Sequence, residues 1–266
     1  MCIRDRNNLV PEAAVTQSVG ILFNRGTVHR FRASVDFVDT VTTGEEVYLQ
    51  AQQVVDLEGI FPQRVIRAPA APGTPDQAGV ITSVLTGNFN LAWRHSYEWN
   101  TALDYAWTDC FGGTLEAYCR WIYFQRYDVE GLPSSAPVDE LRHPDGETPG
   151  LLRNRTNFGA SWSNRNYAFG VDGHYFNSRV LPENEWAAQG SDQVDPYWQF
   201  DAYLQSDLGR WLPWKTVHYD VRGQVRVNNV FAESPPKYAD DPSGAGVQSY
   251  GDWRGRVYSI SVTVSF

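Results

Sequence analysis

The last nine residues of the chain alternate without a break, and this constrains the fold more than any other feature. Tyr258, Ile260, Val262, Val264 and Phe266 take one face, and Ser259, Ser261, Thr263 and Ser265 take the other. Period two is the mark of a β-strand with two unlike faces. The preceding segment repeats it: Val217, Tyr219, Val221, Val225 and Val227 alternate with His218, Asp220, Arg222, Gln224, Arg226 and Asn228. That second face is too charged for the interior of a soluble sandwich and suits a wet lumen.

The same rule extends upstream. Trp93, Tyr97, Trp99, Leu103, Tyr105 and Trp107 oppose Arg94, Ser96, Glu98, Asn100 and Asp104. Leu115, Ala117, Cys119, Trp121 and Tyr123 oppose Glu116, Tyr118 and Arg120, although Ile122 and Phe124 break the pattern. With segments at 17–24, 28–39, 152–164, 166–178 and 196–208, about nine strands are predicted, many of them long enough for the roughly 9–11 residues of a tilted membrane strand. Connections are short at 25–27, 110–112 and 163–165, moderate at 209–215, and long at 40–92, 129–151, 179–195 and 230–253. Counted back from a periplasmic C-terminus, the short links fall on one side and the long links on the other, as in bacterial outer-membrane barrels. This parity assigns 80–87, strand-like in pattern, to the long loop, in which 45–56 reads as a short helix. Nine is an odd number, and an open sheet leaves unsatisfied edges in lipid. The expected fold is therefore all-β: the C-terminal section of a larger antiparallel transmembrane β-barrel, with earlier strands upstream.

Composition excludes several alternatives. A net charge of -9 argues against a nucleic-acid partner. A mean hydropathy of -0.42 is compatible with barrel strands, whose two faces average out. Aromatic residues make up 14% of the chain, with 10 Trp and 14 Tyr, which suits interfacial girdles and equally a Trp-rich sugar-binding domain. No apolar run is long enough for a transmembrane helix. Residues 1–6 lack the apolar core of a signal peptide and read as an artefactual leader, so Cys2 is set aside. Cys110 and Cys119 have no metal-ligand spacing, and a turn at Phe111-Gly112 places them too far apart in register to pair. Nucleophile-elbow, phosphate-loop and zinc-helix motifs are all missing, and the five histidines are scattered. No enzyme activity, cofactor or metal centre is expected.

Two stretches carry a family resemblance. Asn228-Asn229-Val230-Phe231, the Pro235-Pro236 loop, Tyr250, Gly255-Arg256 and the terminal strand resemble the C-terminus of TonB-dependent receptors. Asn8-Leu9-Val10-Pro11-Glu12, the segment from Phe31 to Thr40, and Phe61 to Arg67 resemble late barrel segments of the same family. The resemblance covers nearly the whole chain from Asn7 and implies a 22-stranded barrel around an N-terminal plug, energised through TonB to import a scarce ligand. Plug and coupling motif are absent from these residues. The implied partners are outer-membrane lipid, the parent's plug, TonB through the missing N-terminal part, the barrel-assembly machinery and a small-molecule or oligosaccharide ligand. Tyr258, Ile260, Val262, Val264 and Phe266 resemble the barrel-assembly signal, and are otherwise lipid contacts.

Among individual residues, Arg120, Asp201, Asp220, Arg222 and Arg226 are candidates for contact with a lumen or plug, or simply for solvating the lumen. Trp186, Tyr197, Trp198, Tyr250 and Trp253 stand near loop bases, where they serve as interfacial anchors or stack on a ligand. Each long loop carries a net negative charge of about three or four, which disfavours a strongly anionic ligand. Asp192 with Asp195, and Asp240 with Asp241, are weak candidates for calcium. A passive porin-like channel and a soluble carbohydrate-binding β-domain are the alternatives. The first predicts no plug upstream, and the second predicts apolar faces turned inward.

Overall fold

A computed structural model describes residues 9–70, 78–131, 135–144, 151–209, 220–239, 244, 246–248 and 250–265. In chain order the elements are β1 (Ala13–Arg25), β2 (His29–Leu49), α1 (Ala51–Asp56), a 3-10 turn (Pro62–Arg64), β3 (Val65–Arg67), β4 (Ile81–Val84), β5 (Gly87–Cys110), β6 (Gly113–Glu130), β7 (Val138–Asp139), β8 (Asn154–Ser163), β9 (Tyr167–Phe176), β10 (Arg179–Val180), α2 (Glu183–Gln189), β11 (Gln193–Val194), β12 (Tyr197–Asp207), β13 (Asp220–Asn228) and β14 (Val257–Ser265). The chain is mostly antiparallel β-sheet. One large sheet has the order β1-β2-β5-β6-β8-β9-β12-β13-β14, with β7 added beside β6. Each of the nine main strands therefore neighbours the next one in sequence, and all nine match the segments expected from alternation. Residues 217–219 and Phe266 lie outside the described residues.

Register shows how the alternation is used. Leu115, Trp162, Phe169, Leu204, Val225 and Ile260 are successive cross-strand partners from β6 to β14. One residue away, Thr114, Ser163, Ala168, Gln205, Gln224 and Ser261 form the parallel row on the opposite face. Directly paired residues share a face and successive residues change face. The sheet therefore has one apolar and one polar side, held in register across six strands.

Exposure runs opposite to that of a soluble sheet. Phe169, Val171, Leu204 and Val225 are exposed at 46% to 55%, although they sit on strands flanked on both sides. Asp201, on the polar face of β12, is buried. Among the described residues, no second layer covers the apolar face of β9, β12 and β13.

Two compact units divide the chain. The first comprises residues 1–16, 40–95 and 128–137. In it Leu49, Val54, Val65 and Phe89 form a small core, with Phe61, Ile81 and Val84 packed against them. The hairpin of β3 and β4 is a separate two-stranded sheet, so the strand-like 80–87 segment does belong to the long connection. The expected helix at 45–56 needs correction: Glu45 to Leu49 continue β2, and only Ala51–Asp56 is helical. Glu45 is ion-paired with Arg94 and Glu46 accepts from Asn88, both on β5, and these cross-strand partners hold the segment extended. The second unit comprises 17–39, 96–127 and 138–266 and holds the two-faced sheet.

The turn between β5 and β6 is the expected Phe111-Gly112, with φ of 50° and 73°, the primed pattern that suits strand twist. Cys110 and Cys119 are both free.

Candidate functional site

The polar face of the second unit lines an open cavity of about 980 Å³. Its walls include Arg30 and Arg32 of β2, Glu116 and Arg120 of β6, and Gln224 and Arg226 of β13. Each reaches the cavity because it occupies the polar position of its strand. Arg120 is ion-paired with Asp104 across the β5–β6 hairpin, and its Nη1 also donates to the Leu103 carbonyl at 2.8 Å. Arg226 reaches Asp172 Oδ2 at 3.4 Å and Asp201 Oδ2 at 3.7 Å, while its Nε donates to Asn228 Oδ1 at 3.0 Å.

These contacts belong to a network that spans several strands. The Tyr118 hydroxyl donates to Asp172 Oδ1 at 2.8 Å. His174 Nε2 lies 4.0 Å from Asp201 Oδ2, and its Nδ1 lies 2.7 Å from Asn157 Oδ1. Two carboxylates, Asp172 and Asp201, share the one guanidinium of Arg226, which offsets part of their charge within the wall. The arrangement offers a fixed, hydrogen-bonding surface to a polar partner or to water.

Of the five charged candidates, Asp201 and Arg226 are paired with each other on the polar face, and Arg120 is engaged there with β5. Arg222 is also on that face by register, opposite Asp207 and Thr263. The Asp220 backbone pairs with Ser265, and its side chain lies outside the described residues. Asp172, His174 and Tyr118 are members that the sequence reading did not single out. The signal was present: in 166–178 the polar positions are Ala168, Gly170, Asp172 and His174, one residue out of step with Phe169 and Val171.

The Asn-Asn-Val-Phe segment ends β13 and builds the turn that follows. Asn229 is fully buried at φ 55°, a left-handed conformation that Asn tolerates better than most residues. Its N–H donates to Asp201 Oδ1 at 2.8 Å. Its side-chain amide donates to the Glu233 carbonyl at 2.7 Å and accepts the Glu233 N–H at 2.9 Å. Val230 N–H donates to the Phe200 carbonyl at 2.7 Å, and the exposed Phe231 ring meets Phe200 edge-on at 5.6 Å. Asp201 therefore serves the turn as well as the ionic network.

The aromatic candidates divide. Trp253 is exposed, and Trp186, on α2, is partly exposed with its Nε1 donating to the Leu181 carbonyl at 2.8 Å. Tyr197 is 2% exposed and packs against Phe176 and Tyr250. Tyr250 stacks on Phe176 with centroids 4.7 Å apart. Burial pushes the Tyr250 hydroxyl up to about 12, against Arg179, which lowers it, and with Asp195, which raises it. The rings of Tyr197 and Tyr250 are used in packing, which leaves Trp253, Trp198 and Trp186 as the accessible ones.

On β14, Tyr258, Ile260, Val262 and Val264 share the apolar face with Val227, Val225, Gly223 and Val221 and are exposed. Among the described residues no group of three or more His, Cys, Asp or Glu side chains converges as a metal site. Asp240 and Asp241 lie outside the described residues. Compared with known proteins, the sequence matches no family model and no curated protein.

Proposed function

We propose that the chain is the C-terminal barrel section of an outer-membrane receptor of the TonB-dependent kind, which imports a scarce ligand such as a siderophore complex or an oligosaccharide. The apolar sheet face left bare across β9, β12, β13 and β14 carries this reading. Each fully transferred Val, Leu, Ile or Phe side chain contributes about 1.5–3 kcal/mol. Phe169, Val171, Leu204, Val225, Ile260, Val262 and Val264 together therefore represent roughly 10 kcal/mol of unrealised transfer energy in water, even when partial exposure is allowed for. A bilayer supplies that transfer. The polar face, with its ionic network and cavity, then faces the lumen, where Arg30, Arg32, Arg120 and Arg226 meet water or a plug.

Two further features support it. The sheet is an up-and-down meander whose long strands alternate short and long connections. The Asn-Asn-Val-Phe turn and the alternating last strand are the segments that resemble the family. A soluble carbohydrate-binding domain needs the apolar face turned inward under a second layer, and the exposure of β9 and β12 opposes this. In this reading the outer strands β1 and β14 are completed by strands upstream, since backbone groups left open in lipid cost several kcal/mol each.

Reading the source coding sequence in frame upstream of Asn7 tests the proposal. A signal peptide, a coupling motif, a plug and roughly a dozen further strands are expected. Further strands without a plug would favour a passive channel, and an unrelated reading frame would overturn both.

A further inference from the structure

A second cavity, of about 340 Å³, lies where the connection from β6 to β8 meets the start of the connection from β9 to β12. Three of its lining residues are arginines, Arg142, Arg153 and Arg179, joined by Asn177 and Ser178, and its described lining contains no carboxylate. This is unexpected in loops that carry net negative charge. Among the described residues Asp139, paired with Arg142, is the one carboxylate against any of the three, and a desolvated guanidinium such as that of Arg179 is unfavourable unless it is paired.

Arg179 is the informative member. It is 7% exposed, yet neither Nε nor Nη2 has a hydrogen-bond partner among the described residues. Its guanidinium is held over the Tyr238 ring at 4.5 Å, a contact that fixes its plane but satisfies none of its N–H groups. Nε and Nη2 form one edge of the guanidinium, the edge that binds a carboxylate or phosphate with two parallel hydrogen bonds. Asn177 Oδ1 is already taken by the Asn154 N–H at 2.9 Å, so its side chain has its amide donors left to offer. Arg142 is the outermost of the three, with an exposed side chain and Nε 3.5 Å from Asp139 Oδ2.

The geometry points to an anion site: the cavity receives a phosphate or carboxylate group of a ligand, Arg179 grips it through its Nε–Nη2 edge, and Arg153 and Arg142 complete the charge. This reverses the expectation drawn from net loop charge, because the local arrangement of donors outweighs the distant carboxylates. It holds whether or not the sheet spans a membrane. The upstream coding sequence therefore tests the receptor reading and leaves this one untouched.

The test is calorimetric titration of the full chain in an uncharged detergent, first with inorganic phosphate and then with citrate. Saturable binding of at least one is expected, weakened at least tenfold in Arg153→Gln and also in Arg179→Lys, which keeps the charge and loses the two-pronged edge. Arg153→Lys should bind within about threefold of the parent, separating lost charge from lost folding, and far-ultraviolet circular dichroism should match for all variants. Mixed micelles carrying phosphatidic acid then identify the source of the anion. Displacement of phosphate by those micelles assigns the site to a lipid headgroup, and no displacement assigns it to a soluble ligand. The inference is overturned if neither probe binds with a Kd below about 10 mM, or if Arg153→Gln and Arg179→Lys bind as the parent does.

Discussion

Asn229 shows how much one side chain can hold. It occupies a left-handed backbone position at φ 55°, and its amide closes the turn through two hydrogen bonds to Glu233. An Ala there meets a conformational cost of about 1–2 kcal/mol, and each lost hydrogen bond removes about 1 kcal/mol more. Asn229→Ala should therefore lower unfolding stability by about 3 kcal/mol, while Asn229→Gly keeps the backbone and loses only the amide's part. The difference between the urea midpoints of the two variants measures the backbone cost, and a Gly variant with the parent's midpoint would show that the amide contributes nothing. Tyr250 gives a second prediction at this scale. Its folded pKa is raised to about 12 from an ordinary 10.0 because the hydroxyl is buried. The folded state therefore keeps the proton that the unfolded chain releases first. The stability tied to this group is fully present below pH 10 and is lost as pH rises through about 12. Tyr250→Phe keeps the stack on Phe176 and should flatten that part of the alkaline unfolding profile. An unchanged profile would assign the alkaline loss to other groups.

Among elements, the β5–β6 hairpin and the β3–β4 hairpin are the most accessible to experiment. Phe111 is exposed and takes φ 50° at the first turn position, where Asn is preferred. Phe111→Asn should stabilise the hairpin by about 1 kcal/mol, read as a higher urea midpoint. In the first unit, the hydrogen bonds from Arg67 to both Glu58 carboxylate oxygens hold the Glu58 pKa below its ordinary 4.5. A lowered acid pKa means that stability is present above the unfolded value and is lost as pH falls through the folded one. Amide protection in Val65–Arg67 should therefore drop below about pH 4.5, and Glu58→Gln should remove the drop. Strands such as these were legible to differing degrees. The nine long strands could be read because each is two-faced over many residues, and alternation survives whatever the tertiary context. Glu45 to Leu49 could not, because the two adjacent glutamates look helical until their partners Arg94 and Asn88 are known, more than forty residues away. The network around Asp172 was half legible: its strand was found, but which polar positions meet depends on register across five strands. The burial of Tyr197 and Tyr250 had no local signal, since both lie in segments where an exposed aromatic residue reads the same way.

For the molecule as a whole, the decisive fact is which face of the sheet is covered, and the two rows one residue apart make it testable. Leu204 lies in the row with Phe169, Val225 and Ile260, and Gln205 lies in the row with Ala168, Gln224 and Ser261. On the membrane reading an arginine at 204 must enter hydrocarbon, at about 2–4 kcal/mol near the midplane and less toward the boundary. An arginine at 205 points to the wet side and should cost little. In water, by contrast, Leu204 is already 55% exposed, so either substitution should stay within about 0.5 kcal/mol, as surface changes generally do. Unfolding Leu204→Arg and Gln205→Arg by urea from phosphatidylcholine vesicles separates the two cases. A penalty at 204 with near-parent behaviour at 205 is expected, because the pleat gives adjacent residues opposite surroundings. Equal small effects at both would remove the apolar face as an argument for the bilayer. A penalty at 205 larger than at 204 would mean that the polar face is the packed one, and that another layer of protein lies over the ionic network.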